Sequence, residues 1–304
     1  MISKKKFISL TLLIVVIYFL FDFIEENKNI LENFDNISFS IFLFFLLLNL
    51  FNMIARAYMN IYLFKCTEIS LGYLEAFELV FKNTVGNLLG PFKAGSGYKL
   101  HYLNKNYKLS PSKFISVNTA YSLVSLTISI FIIFAALLIL NNISNINTLS
   151  VLMIFISLIV FLFIFLRLLL LIEKKISVKT ISNFASGFRS IFNHKKNFFK
   201  LSLITFLIIF LNIIIIFCAF RFFEFNISFI NSVIYSSIGS LSTIAKITPG
   251  NIGVYEFLMI SSIAFHGVQI EQVLISSIFI RSVSYILYLI IYIFLSIKTL
   301  TNRT

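Results

Sequence analysis

Proline is nearly absent from this chain. Three occur in 304 residues, so helices can run long without losing backbone donors. Charge is scarce as well. Only 12% of residues are Asp, Glu, Lys or Arg, about half the share of a soluble domain, which excludes an ordinary water-soluble fold. Acids are scarcer than bases, 12 against 25. The two cysteines, Cys66 and Cys218, sit in no motif. The topology below puts them at opposite membrane faces, so no bond between them is expected. His101, His194 and His266 fall in separate loops, too scattered for a metal site. No Gly-x-x-x-x-Gly-Lys-Ser/Thr, His-Glu-x-x-His or Gly-x-Ser-x-Gly stretch occurs. ATP-driven pumping by this chain alone is not expected, and no catalytic residue, cofactor or metal is assigned.

What is present is apolar. Hydrophobic residues make up 59% of the chain and the mean hydropathy is +0.97. Runs of this kind are membrane spans. Six are expected: about Phe7–Ile24, Ser38–Phe64, Ser112–Leu140, Leu149–Ile172, Leu201–Phe220 and Val273–Ile297. The first begins after Lys4-Lys5-Lys6 and has no small-x-small cleavage site after it, so it reads as an uncleaved span. The net charge of +13 would suggest nucleic acid in a soluble protein. Here the bases lie between spans, which points to anionic lipid heads and to no nucleic acid. Lys4 to Lys6, Lys65, the lysines of 93–113 and those of 173–200 share one side. The positive-inside rule makes that side, and both termini, cytoplasmic, in a plasma (inner) membrane. In 173–200, Ile181, Phe184, Phe188 and Phe192 share one helical face, which predicts an amphipathic helix on the inner leaflet.

Two of the prolines open the same motif. Pro91-Phe92-Lys93-Ala94-Gly95 and Pro249-Gly250-Asn251-Ile252-Gly253 are both Pro-x-x-x-Gly. Proline removes a donor and glycine permits positive φ, so a helix break is expected at each, with Pro91, Gly95, Pro249, Gly250 and Gly253 as the breaking residues. The stretches around them, 71–103 and 228–266, read as re-entrant helical hairpins. If either crosses fully, the count rises to eight spans. The expected fold is therefore an all-α polytopic membrane protein, one integral domain over 1–304. It has six to eight spans and two hairpins in an inverted repeat, with halves of about 1–142 and 149–298. Irregular backbone at membrane depth survives only where it is buried or lines a polar cavity.

Charged residues at that depth are the candidate site. Arg56, Lys246 and Arg281 rank first. Lys93 and Lys99 follow the first break, and Glu256 lies about two turns past a helix start near Gly250. Helix ends facing a cavity would add positive potential for a phosphate or carboxylate. A basic, polar pocket in an apolar body suits an anionic lipid. Small-residue packing accounts for most of Ser236, Ser237, Ser240, Ser242, Thr243 and Thr248.

Thr248-Pro249-Gly250-Asn251-Ile252-Gly253-Val254-Tyr255-Glu256 resembles the Pro-Gly-Gly-x-Gly-x-x-Glu signature of the lysylphosphatidylglycerol synthase transmembrane (flippase-like) family. Asn87-Leu88-Leu89-Gly90-Pro91 with Gly95 and Lys99 is similar to that family's first motif, Asn-x-x-x-Pro-x-x-x-Gly-x-x-x-Arg. Arg56 and Arg281 fall where the family often has arginines. Three positions depart from the pattern: Ser96 replaces an acid, Lys99 an arginine and Asn251 a glycine. The resemblance implies a lipid-translocating module. Full-length synthases add a soluble aminoacyl-transfer domain. With the chain ending at Thr304, no synthesis of lysyl-lipid is expected. The implied substrate is an anionic phospholipid, an aminoacylated phospholipid or a polyprenyl-phosphate carrier, moved between leaflets. The alternative is an intramembrane enzyme or accessory subunit, partnered with lipid-modifying or glycosylating enzymes, with Glu256 as a general base and the lysines holding phosphate.

Overall fold

The computed structural model describes residues 38–89, 93–141, 179–245, 251, 253–261 and 268–301. The expected spans at 7–24 and 149–172 lie outside them, as do Pro91, Lys246, Thr248, Pro249 and Gly250. The described residues are helical and contain no strand. In chain order the helices are α1 (Phe39–Lys65), α2 (Tyr73–Leu89), α3 (Ala94–Tyr107), α4 (Pro111–Asn141), α5 (Lys179–Asn193), α6 (Lys195–Phe222), α7 (Phe229–Ala245), α8 (Val254–Ser261) and α9 (Ile270–Thr301).

Four of these, α1, α4, α6 and α9, are long and apolar enough to cross a bilayer. They match the expected second, third, fifth and sixth spans. A span needs about 20 residues at 1.5 Å per residue, and even the shortest, α1, has 27. Their outer stripes are apolar too. Phe39, Leu43, Leu47 and Phe51 are exposed along α1, and Leu289, Ile293 and Phe294 along α9. Residues three and four apart share a helix face, so these stripes are the surfaces that hydrocarbon covers. The protein is an all-α membrane protein.

The same succession occurs twice: a span, a helix pair, a span. It is α1, α2–α3 and α4, then α6, α7–α8 and α9. Phe39 and Lys195 open the first span of each set, and Tyr73 and Phe229 open the helices that follow, at the same separation. Both α2 and α7 have 17 residues. α1 and α6 even stop alike. Glu68 and Glu224 take left-handed φ of 67° and 59°. The next amides, Ile69 and Phe225, bond back to the carbonyls of Phe64 and Phe220 at 3.1 and 2.9 Å. This is a Schellman stop built on glutamate instead of glycine.

The described residues form two compact units that cut across the chain halves. Among the described residues, the first draws on those within 38–54, 81–96 and 211–301, the second on those within 55–80 and 97–210. In the first, Phe45 of α1, Ile215 and Ala219 of α6, and Phe279 and Val283 of α9 form a buried cluster. Phe45 meets Phe279 edge-on at 4.9 Å. A second cluster joins Phe220 of α6, Tyr235 of α7, Met259 of α8 and Val273 of α9. Polar bonds cross between the same spans: Asn52 Nδ2 donates to Asn212 Oδ1 at 2.8 Å, and Ser284 Oγ to Asn49 Oδ1 at 2.9 Å.

In the second unit, α5 packs on α4. Gly187 lets the helices close, since a Cβ there would stand 3.1 Å from the Lys113 carbonyl, and Ser116 Oγ donates to the Phe184 carbonyl. Ala185, Phe188 and Ile191 are buried. Of the face expected on the inner leaflet, Phe188 is buried, Phe184 half-buried and Phe192 exposed, so α5 packs on α4 with part of that face left open.

Candidate functional site

The second break starts from backbone. α7 ends at Ala245 and α8 begins at Val254. Between them Asn251 and Gly253 take left-handed φ of 61° and 83°. Two such residues postpone the helix, and Glu256 therefore falls in its first turn, not two turns in as the sequence suggested. There its carboxylate turns back to the start. Gly253 N donates to Glu256 Oε2 at 2.8 Å. That is the reciprocal half of a capping box, with the acid at the third helical position and glycine at the cap. The acid is also favoured by the positive end of the helix dipole.

Glu256 is buried, 8% exposed, and a buried carboxylate needs a cation. Arg281 of α9 supplies it: its Nε lies 2.7 Å from Glu256 Oε1. The same guanidinium donates from Nη2 to the Asn251 carbonyl at 3.3 Å and lies 5.2 Å from the centre of the Tyr255 ring. One side chain near the middle of a span thus holds the left-handed turn, the helix cap and an aromatic face. Tyr235, Ser232, Ser236 and Ser237 of α7 and Ser276 of α9 are buried in the same unit, and α7 meets α8 where Gly239 lies under the Tyr255 ring.

The first break is different. α2 ends at Leu89 and α3 begins at Ala94. The left-handed residue here is Lys93, with φ of 59°, exposed to the surroundings. Gly95 is not itself the breaking residue. It is helical, and its missing side chain makes room: a Cβ there would stand 1.9 Å from the Asn83 carbonyl oxygen. Gly86 packs against Gly95 in the same way. Gly95 N donates to Asn87 Oδ1 at 3.0 Å and Ser96 Oγ to Asn83 Oδ1 at 3.3 Å. At the open end of the pair, Tyr102 and Tyr107 donate to Glu75 at 3.0 and 2.7 Å. Glu75 also accepts from Gly72 N at 3.3 Å, a second Gly-x-x-Glu cap. α2 and α3 therefore fold back on each other as a helical hairpin.

These two breaks sit in the motifs that carry the family likeness. Over residues 6–291 the chain matches the lysylphosphatidylglycerol synthase TM region. It belongs to that family. Membership gives it a setting among membrane lipids. No curated protein matches it.

The expected site residues of this family member divide between the units. Glu256, Arg281, Gly253, Lys93 and Gly95 belong to the first, Arg56 and Lys99 to the second. The structure joins Glu256 to Arg281. Arg56 is exposed on α1, within electrostatic reach of Tyr121 on α4. Lys99 is buried and bonds to Asn60 of α1. Asn60 and Asn83 were given no role from sequence, and Asn87 and Tyr255 stood only as members of the two motifs. The Gly-x-x-Glu spacing at 72–75 and 253–256 was the available signal for both caps.

Proposed function

We propose that the protein carries an anionic, phosphate-bearing lipid between leaflets, with Arg281 and Glu256 as its charge-selective station. The observation that supports this is a guanidinium near mid-span whose counter-ion is a capping carboxylate. A phosphate has the same charge sign as that carboxylate, and it can accept from the same two donors, the guanidinium and the α8 amide. Exchange of one anion for another leaves the arginine paired throughout, so no bare buried charge is created. Glu256 is then free to leave the cap or to take a proton.

The proposal includes an inverted repeat with re-entrant hairpins and cytoplasmic termini in a plasma (inner) membrane. The matched spacing of the two sets of helices supports the repeat, and the basic loops support the orientation. In a variant lacking Cys66 and Cys218, cysteines at Lys108 and Lys179 should resist an impermeant thiol reagent in intact cells, and one at Asn145 should react. Labelling at Lys179 with none at Asn145 would reverse the orientation.

The transport test uses liposomes of phosphatidylcholine carrying labelled phosphatidylglycerol. The protein should speed phosphatidylglycerol exchange and leave phosphatidylcholine nearly unmoved. Arg281→Gln should slow the exchange about tenfold or more, the effect of losing about 1.4 kcal/mol. Equal rates for both lipids, or an unchanged rate in a well-folded Arg281→Gln, would sink the proposal. A chemically altered lipid in the product would instead indicate an enzyme.

A further inference from the structure

Lys99 of α3 is 6% exposed. Among the described residues its ammonium has two partners, both on α1: it donates to Asn60 Oδ1 and lies 4.8 Å from the centre of the Phe64 ring. Asn60 is buried too, and its Nδ2 is committed to the Arg56 carbonyl at 3.0 Å. That bond fixes the amide with its oxygen toward the lysine. Among the described residues no carboxylate pairs with Lys99. Nearby elements carry Arg56 and Lys65 on α1, Glu68 in the turn after it, Glu75 on α2, His101, Tyr102 and Tyr107 on α3, and Lys113 on α4. Glu75 is already held by the two tyrosines, Glu68 and His101 are exposed, and none of these groups bonds to Lys99.

An ammonium has three donors and a full charge. One amide oxygen and one ring face satisfy part of the first and little of the second. A residue needed only for packing would carry no charge at this cost. We infer that Lys99 and Asn60 form a binding station for a singly charged phosphodiester, whose negative charge the ligand brings. Arg281 has its counter-ion built in; among the described residues Lys99 has none. The inference deepens the lipid-carrier reading, on which it rests for the source of the diester, by naming the charge on the head group.

Burial pulls the Lys99 amine down to about 7. The empty station is thus partly neutral near that pH, and an arriving anion draws in a proton. Affinity should be flat below this value and weaken about tenfold per pH unit above it.

The test measures binding alone, so a protein that binds but does not transport fails only the earlier proposal. The full chain in phosphatidylcholine nanodiscs is titrated between pH 5.5 and 9 with phosphatidylglycerol or with soluble dimethyl phosphate. Wild type should lose about fiftyfold in phosphatidylglycerol affinity from pH 7 to 9. Lys99→Arg should bind with a flat profile, since guanidinium stays charged. Lys99→Gln should bind at least tenfold more weakly at pH 6, again with a flat profile. His101→Gln should follow wild type. A wild-type profile flat with both anions, or a slope that survives in a Lys99→Gln of unchanged melting temperature, overturns the station. Should dimethyl phosphate reproduce the Lys99-dependent slope while phosphatidylglycerol does not, the anion site stands and its ligand is a free phosphate ester.

Discussion

The two Pro-x-x-x-Gly stretches begin alike and then diverge. In each, the residue two places after proline is left-handed, Lys93 in one and Asn251 in the other. In each, the glycine amide is bound by a side chain. At the first break that side chain is Asn87, on the helix before; at the second it is Glu256, on the helix after. A neutral amide closes the first tip and calls for nothing more. A buried carboxylate closes the second and requires Arg281. The choice of capping group decides which break needs a buried ion pair.

The glycines differ as well, and this is where the comparison can be broken most forcefully. Gly95 is needed for space: Gly95→Ala drives a Cβ into the Asn83 carbonyl, which is backbone and cannot swing aside. The cost should exceed the 1–3 kcal/mol typical of overpacking and show as loss of monodisperse protein or a large fall in melting temperature. Gly253 is needed for its φ of 83°. There Gly253→Ala should cost about 1–2 kcal/mol, and Gly253→Asn less, because asparagine tolerates left-handed backbone. Equal losses for the two alanine variants would erase the distinction.

The next effect concerns the ion pair. Arg281→Met leaves a buried carboxylate uncompensated and should cost about 3–5 kcal/mol in a detergent melt. Arg281→Met combined with Glu256→Gln should recover most of it, since the capping bond survives without the charge. If the pair of changes is no better than Arg281→Met alone, the cation is holding something other than Glu256.

The smallest effect compares the two Gly-x-x-Glu caps. Glu75 is half-buried and bound by phenols, so Tyr107→Phe should cost about 1 kcal/mol, the net worth of a hydrogen bond. It should leave lipid exchange unchanged. In the folded protein the Tyr107 hydroxyl is pushed up to about 12, chiefly by burial and then by its bond to Glu75. A group so raised is protonated at all physiological pH, and its bond fails only in strong alkali. A Tyr107→Phe that slows exchange would give the first hairpin a role beyond its fold.

Hydropathy made the four described spans legible, within one residue at the ends of α1 and α4 and within six at those of α6 and α9, because length and apolar runs follow directly from the bilayer's thickness. The candidate site was legible only in part. Arg281 and Glu256 stood out as charges in apolar surroundings, yet their pairing joins residues 25 apart through a break whose start depends on two left-handed residues. Sequence placed the first break at Pro91 and Gly95; the left-handed backbone falls on Lys93, and Gly95 serves close approach. Lys99 was visible as a base after the motif. Its burial was not, since a short polar helix does not announce which side its neighbour covers. The burial of α5 against α4 escaped for the same reason: an amphipathic face fits a leaflet or another helix equally well.

The asparagine bonds of the first unit have one more consequence. In hydrocarbon-like surroundings, greasy side chains slide past one another at little penalty, and a helix is free to turn about its own axis. Asn52 on Asn212 and Asn49 on Ser284 remove that freedom. They act as keys cut into three shafts. A twist of one residue swings an amide through about 100° and strands it without a partner. The stretches of α1, α6 and α9 that carry these keys must therefore travel as one block, and whatever hinge the molecule uses has to lie beyond them.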